Sequence, residues 1–97
     1  MDEVTITRHD AGNRGEYRAH VQGSRHIGRL TWVLRQGVRV ADHTLVPREI
    51  GGRGVALKLV EALIADSREQ GFRIEPECSY VAAQFDRHPD WAELRAR

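Results

Sequence analysis

The periodicity of apolar residues changes at a cluster of glycines in the middle of the chain. Before Gly51, apolar residues alternate with polar ones, which is the period of a β-strand with one buried face. After Gly54 they recur every three or four residues, which is the period of an amphipathic helix. Strands followed by helices predict the α+β class. Since 97 residues suffice for one hydrophobic core and not for two, we expect a single domain over residues 1–97.

Four strands are predicted in the first half of the chain. The four runs are residues 4–7, 16–21, 27–34 and 38–46. Turn residues at Gly23 and Gly37 indicate tight hairpins, so these strands should form an antiparallel sheet. The fourth run carries Asp42 and His43 in its middle, which indicates a β-bulge or a strand that splays from its neighbour.

A long helix and a short one are predicted in the second half. The apolar face of the long helix consists of Ala56, Leu59, Val60, Leu63 and Ile64. Gly71 suits the left-handed residue that ends such a helix. A strand over 72–75 follows, then a short helix with Ser79 as its N-cap and a last helical turn over 91–95. Because strand–helix–strand units cross over with a right hand, the fifth strand should lie parallel to the fourth.

Charge and cysteine content argue against several classes of protein. Residues 1–48 carry 8 basic and 5 acidic side chains and residues 49–97 carry 7 and 9, so the halves are +3 and −2, without a basic patch for nucleic acid. The single cysteine and the five scattered histidines match no metal-binding spacing. No apolar run approaches the ~18 residues of a membrane span, and the acidic N-terminus is unlike a signal peptide. We therefore expect a cytoplasmic protein without a metal, a membrane or a nucleic-acid partner.

The glycine cluster lies where a strand leads into the long helix. Glycines there allow backbone N–H groups to approach an anion, and the first turn of a helix leaves further N–H groups unpaired. The loop therefore suits a phosphate or pyrophosphate, although the same glycines also suit a plain tight turn. The segment 51–56 lacks the lysine of the P-loop, and it lacks the third glycine of the dinucleotide fingerprint.

The order of elements and several short motifs resemble the GNAT superfamily of N-acetyltransferases. Gly52-Arg53-Gly54-Val55-Ala56 after four antiparallel strands is similar to the acetyl-CoA pyrophosphate loop of that superfamily, [QR]-x-x-G-x-[GA]. Together with 43–47, 76–81 and His88-Pro89, it resembles the very small stand-alone GNAT-like subfamily, sometimes called YjdJ-type. One departure is Gly51, which replaces the glutamine or arginine of the pattern. The chain also lacks the two acceptor-site helices that larger members insert after their first strand.

The resemblance implies a donor site and a mechanism. The residues implied to bind coenzyme A are Thr44, Leu45 and Val46 on the splayed strand and Gly51, Gly52, Arg53, Gly54, Val55 and Ala56 in the loop. The acetyl thioester would lie near Cys78, whose place before a helix favours the thiolate. Tyr80 would protonate the departing coenzyme A thiolate, and His43 would be the general base.

Each of these side chains also has a purely structural interpretation. Cys78 would then be a small buried side chain, Tyr80 a packing residue with its hydroxyl at the surface, and His43 a hydrogen-bonded strand residue. We expect an acetyltransferase that passes acetyl from acetyl-CoA to an unidentified amine, either directly or through acetyl-Cys78. The alternative is a non-catalytic module that binds coenzyme A for regulation.

Overall fold

The computed structural model describes residues 3–96 and contains one mixed sheet of five strands in chain order. The strands are β1 (Val4–Asp10), β2 (Arg14–Val21), β3 (Ile27–Arg35), β4 (Val38–Leu45) and β5 (Arg73–Pro76). Neighbours among β1 to β4 are antiparallel, whereas β5 is parallel to β4. The predicted α+β class and strand directions are confirmed, and β1 is longer than the sequence pattern indicated.

The helix α1 (Val55–Gln70) covers one face of the sheet. Its apolar side packs on the alternating core residues of β2 and β3, among them Tyr17, Ala19 and Leu30. The start of α1 comes very close to β3, because a Cβ built on Gly28 would lie 3.2 Å from Val55 Cγ1. A glycine in β3 thus sets how close the first turn of α1 lies to the sheet.

A buried carboxylate ties α1 to the first two strands. Asp66 accepts hydrogen bonds from Arg8 Nε at 3.0 and 2.9 Å, one on each oxygen, and from the Tyr17 hydroxyl at 2.9 Å. Arg39 donates to the Tyr17 oxygen at 3.1 Å and stacks on the ring of Trp32. Burial, followed by the contact with Asp66, raises the pKa of Tyr17, so its hydroxyl stays a donor.

The predicted bulge is present in β4. Thr31 pairs with His43 and Trp32 pairs with Ala41, which leaves Asp42 as the extra residue. Asp42 accepts a hydrogen bond of 2.7 Å from the Thr31 hydroxyl. We use the term open face for the side of the sheet opposite α1. Its residues on the antiparallel strands include Thr7, His9, Glu16, Arg18, His20, Arg29, Thr31 and His43, none of them buried.

The C-terminal part packs beside α1. It consists of α2 (Ser79–Arg87) and a 3-10 helix (Pro89–Leu94). Cys78, not the predicted Ser79, is the N-cap of α2, because its N–H bonds to Ala41 O and holds its backbone extended until the helix begins at Ser79. His88 packs its ring flat on Trp91. Within residues 3–96 no helix has both the length and the apolar character needed to cross a membrane.

Candidate active site

The glycine loop leaves the N-terminus of α1 open to solvent. Gly52 and Gly54 have φ of 74° and 72°, and an added Cβ at either one meets nothing within 4 Å. Residues 51–54 are all exposed, while Ile50 beneath them is fully buried and anchors the loop. Gly54, the N-cap of α1, offers no side-chain cap, and the first helical turn carries no acidic residue. Nothing in this turn competes with an anion for the N–H groups.

The strand before the loop separates from β5. The last pair between them is Ala41 with Pro76, and Ala41 O accepts hydrogen bonds from the N–H groups of Glu77 and Cys78 at 3.0 and 2.8 Å. Beyond this point β5 has ended, and within residues 3–96 no strand pairs with that edge of β4. Within the described part of the chain, the edge from Asp42 to Leu45 therefore has no strand partner on that side, and we call the space beside it the gap. Backbone groups on such an edge can pair with an added extended chain.

Cys78 lies at the narrow end of this gap. Its Sγ is 3.3 Å from the Thr44 hydroxyl. Burial of the sulfur favours the thiol, but the contact with Thr44 and the backbone N–H groups of Val81 and Tyr80 outweigh it and lower the pKa of Cys78. The sulfur makes no capping hydrogen bond with α2, so the N–H groups of Tyr80 and Val81 stabilise the thiolate through their partial positive charge. The thiolate is therefore favoured here relative to an ordinary cysteine.

The other two predicted catalytic residues lie in different surroundings. Tyr80 is half-buried one turn from Gln84 and close to Glu61 of α1, and burial raises the pKa of its hydroxyl. The phenol therefore holds its proton at neutral pH. His43 is exposed on the open face, whereas Thr44 points with Leu30 towards the helices. The structure thus brings Thr44 and Cys78 together and places His43 on the opposite side of the sheet.

These features combine a splayed strand, a glycine loop at an uncapped helix and a polarised cysteine. Residues 16–94 match the sequence profile of the GCN5-related N-acetyl-transferase family. The chain belongs to this family. Comparison with individually curated proteins finds no match. The expected family and fold are confirmed, and the chain is an acetyltransferase domain of the GCN5-related N-acetyltransferases.

The predicted donor residues of this GCN5-related domain form one continuous border. Thr44 and Leu45 lie on the free edge of β4, and Val46 follows the strand. The chain then makes a 3-10 turn over Arg48–Ile50 and enters the loop 51–54 and the first turn of α1. Their roles in binding coenzyme A stay predictions. Within residues 3–96 no cluster of side chains is arranged to hold a metal ion.

Two site features of this acetyltransferase domain did not emerge from the sequence. Gly28 positions the first turn of α1, yet it looks like any strand glycine until the helix is seen against it. The sequence indicates a bulge or splay at Asp42 and His43, but it does not show that the bulge turns Asp42 onto the open face beside His43. The adjacent polar pair in an apolar run was the available signal for that turn.

Proposed function

We propose that this domain binds acetyl-CoA along the free edge of β4 and passes its acetyl group to a primary amine. The observation that carries the proposal is the continuous path from that edge to the open N-terminus of α1, with Cys78 at the narrow end of the gap. Membership of an acetyltransferase family supports the reaction class. The donor molecule is the acetyl-CoA that this family typically uses.

The two ends of the path suit the two chemical parts of coenzyme A. The amides of the pantetheine arm would pair with the backbone of Asp42–Leu45, as an added strand does. The pyrophosphate would accept hydrogen bonds from the N–H groups of residues 53–56, where the helix dipole favours negative charge. Open space around Gly52 and Gly54 supports this assignment, since phosphate oxygens can approach the backbone there.

We infer that Cys78 is the nucleophile of a two-step transfer. Its thiolate would attack the acetyl carbonyl carbon, the bond from that carbon to the coenzyme A sulfur would break, and the departing thiolate would take a proton from Tyr80. The amine nitrogen would then attack acetyl-Cys78, lose a proton to a base and release the Cys78 thiolate. The lowered pKa of Cys78 and its contact with Thr44 support the first step.

Direct transfer is the second route, and the backbone N–H of Thr44 on the free edge of β4 supports it. His43 is exposed on the open face, so it would take the proton of an ammonium group that reaches the free edge of β4 from that side of the sheet. The backbone N–H of Thr44 approaches the Cys78 sulfur and would polarise the acetyl carbonyl placed there. In this route the amine attacks the acetyl-CoA carbonyl itself, and Cys78 serves only to line the site.

Intact-protein mass spectrometry separates the two routes. Purified wild type and Cys78→Ala are incubated with acetyl-CoA without an amine, and the mass of each is recorded over time. We expect one added acetyl group on wild type and none on Cys78→Ala. Cys78→Ser is the matched control for packing, because it keeps the size of the side chain without its thiolate. In a second assay with an amine present, acetyl transfer by Cys78→Ala at the wild-type rate would rule out the cysteine route.

Binding is measured in parallel by thermal unfolding with excess acetyl-CoA. A ligand that binds only the folded state raises Tm by mass action, so we expect an upward shift for wild type and for Cys78→Ala. An unchanged Tm at millimolar acetyl-CoA would contradict the donor site altogether. A shift without acetyl transfer to any amine, and without labelling, would instead identify a coenzyme A-binding module that has no turnover.

A further inference from the structure

The open face of the sheet carries a groove that the donor site does not use. It has a volume of about 660 Å³ and lies on the side of the sheet opposite α1. Side chains from β1 to β4 line it in one transverse row, since His9 pairs with Glu16 and Glu16 pairs with Thr31, next to Asp42. Strands lie ~4.8 Å apart, so the row spans roughly 14 Å. A small extended molecule fits such a groove.

One end of the groove meets the gap beside β4. Asp42 lines the groove, and its neighbour Ala41 is the residue whose carbonyl oxygen holds the N–H of Cys78. The bulge at Asp42 therefore places the end of the groove about one residue from the narrow end of the gap. His43 follows on the same face. A molecule in the groove would present its end to the place where we propose that the thioester lies.

The charges along the groove are unevenly compensated. Glu16 makes ion pairs with both Arg18 and Arg29, so its negative charge is compensated and the three side chains together carry one positive charge. Asp42, in contrast, accepts only the neutral hydroxyl of Thr31, and within residues 3–96 no cation pairs with it.

Two further charged side chains line the β1–β2 side of the groove. Asp10 lies 3.5 Å from Arg39, so part of its charge is compensated. Arg14 forms no ion pair within the described residues. The groove therefore has an uncompensated negative charge on β4 and an uncompensated positive charge two strands away on β2, with Val33 and the edge of Trp32 as apolar lining.

We propose that this groove is the acceptor site and that it selects a primary alkylamine with a carboxylate several atoms from the nitrogen. The inference rests on the acetyl transfer proposed above. The ammonium group binds Asp42 beside the gap, the alkyl chain crosses the apolar lining, and the carboxylate binds the guanidinium of Arg14. His43, on the same face, takes the proton before the nitrogen attacks the acetyl carbon. An ω-amino acid has this arrangement of charges, whereas a diamine would set one ammonium against Arg14.

Steady-state acetylation of three amines tests the proposal. ε-Aminocaproate, hexylamine and hexamethylenediamine have the same chain length and differ at the end remote from the reacting nitrogen. An arginine–carboxylate contact at a partly exposed site predicts about a tenfold higher kcat/KM for ε-aminocaproate than for hexylamine, with the diamine lowest. Arg14→Gln should bring the ratio of the first two to about one. Arg25 is exposed in the β2–β3 turn and does not line the groove, so Arg25→Gln should leave the ratio unchanged.

Asp42→Asn tests the other end of the groove. The amide oxygen can still accept from Thr31, so the bulge is preserved and Tm should stay close to that of wild type. We expect KM for all three amines to rise at least tenfold, while the Kd for coenzyme A is unchanged. Equal kcat/KM for the three amines, or unchanged KM in Asp42→Asn, would overturn the groove assignment and leave the donor site intact. Failure of wild type to bind acetyl-CoA would overturn the proposed function as well, so the two failures are distinguishable.

Discussion

Replacing Gly54 by alanine tests the conformation of the loop that we assign to the pyrophosphate. Gly54 has φ of 72°, and a Cβ at this position meets no atom within 4 Å. The cost of alanine therefore comes from the backbone alone and is about 1–2 kcal/mol for an L-residue in the left-handed region. If the loop keeps its conformation, the free energy of unfolding falls by that amount. For a domain of this size, Tm falls by roughly 4–8 °C per kcal/mol.

The strain can also be released by a change in the loop. The free energy of unfolding then stays near the wild-type value, but the N–H groups of the first helical turn lose their alignment. The strain energy of about 1–2 kcal/mol is then lost from coenzyme A binding instead, so the Kd for coenzyme A rises roughly 5- to 30-fold. Urea unfolding and calorimetric titration with coenzyme A measure the two losses. Because they share one cause, their sum should be about 1–2 kcal/mol.

The β3–β4 turn supplies a matched control. Gly37 has φ of 80° and equally open space for a Cβ, but it lies in a hairpin turn outside the donor site. Gly37→Ala should lose a similar free energy of unfolding and bind coenzyme A as wild type does. A Gly54→Ala variant that matches wild type in both measurements would refute the assignment of the loop, as would a Gly37→Ala variant that weakens coenzyme A binding as much.

Three further predictions concern ionisable groups. Thr44→Val should raise the pH at which Cys78 is half-alkylated by iodoacetamide, because the thiolate loses the hydroxyl that stabilises it, and an unchanged midpoint would contradict the assigned contact. The pKa of Cys78 is lower in the folded state than in the unfolded state, so the free energy of unfolding should rise with pH between these two pKa values. Urea unfolding of wild type as a function of pH should show this rise, and Cys78→Ala should lack it. Asp66→Ala should lower the free energy of unfolding, measured in urea, by about 3 kcal/mol. This is the lower end of the range for a broken buried ion pair, because Arg8 is half-exposed. A loss under about 1 kcal/mol would show that the Tyr17 hydroxyl finds another acceptor.

Much of the fold follows from local sequence patterns. The change of hydrophobic period at the glycines separates the sheet from α1, and the helix between β4 and β5 is the crossover connection that a parallel pair of strands needs. Ser79 was wrong as the N-cap because the start of α2 is set by a hydrogen bond from Cys78 to Ala41, which are 37 positions apart in the sequence. A contact between distant residues leaves no trace in a local capping pattern.

The sequence suffices to propose the donor site along β4 and the loop, but it does not suffice to propose the groove that crosses the strands of the open face. Which face Asp42 and His43 share depends on which strand carries the extra residue at the bulge, and only the register against Thr31 gives that. Which carboxylate of the groove lacks a nearby cation depends in part on ion pairs between strands, such as that of Glu16 with Arg29, 13 positions away. Such compensation is a property of the folded sheet, so an acceptor groove could not be predicted from the sequence.

Nuclear magnetic resonance of the amide groups tests the central claim most directly. Uniformly 15N-labelled protein is titrated with coenzyme A, and the shift of each backbone amide is recorded. We predict that the largest changes fall on the free edge of β4 and on residues 51–56, with further changes at Cys78 and little effect in the β3–β4 turn. The account is contradicted if saturating coenzyme A leaves the amide shifts of residues 42–46 and 51–56 unchanged, or if the largest shift changes fall on a different surface.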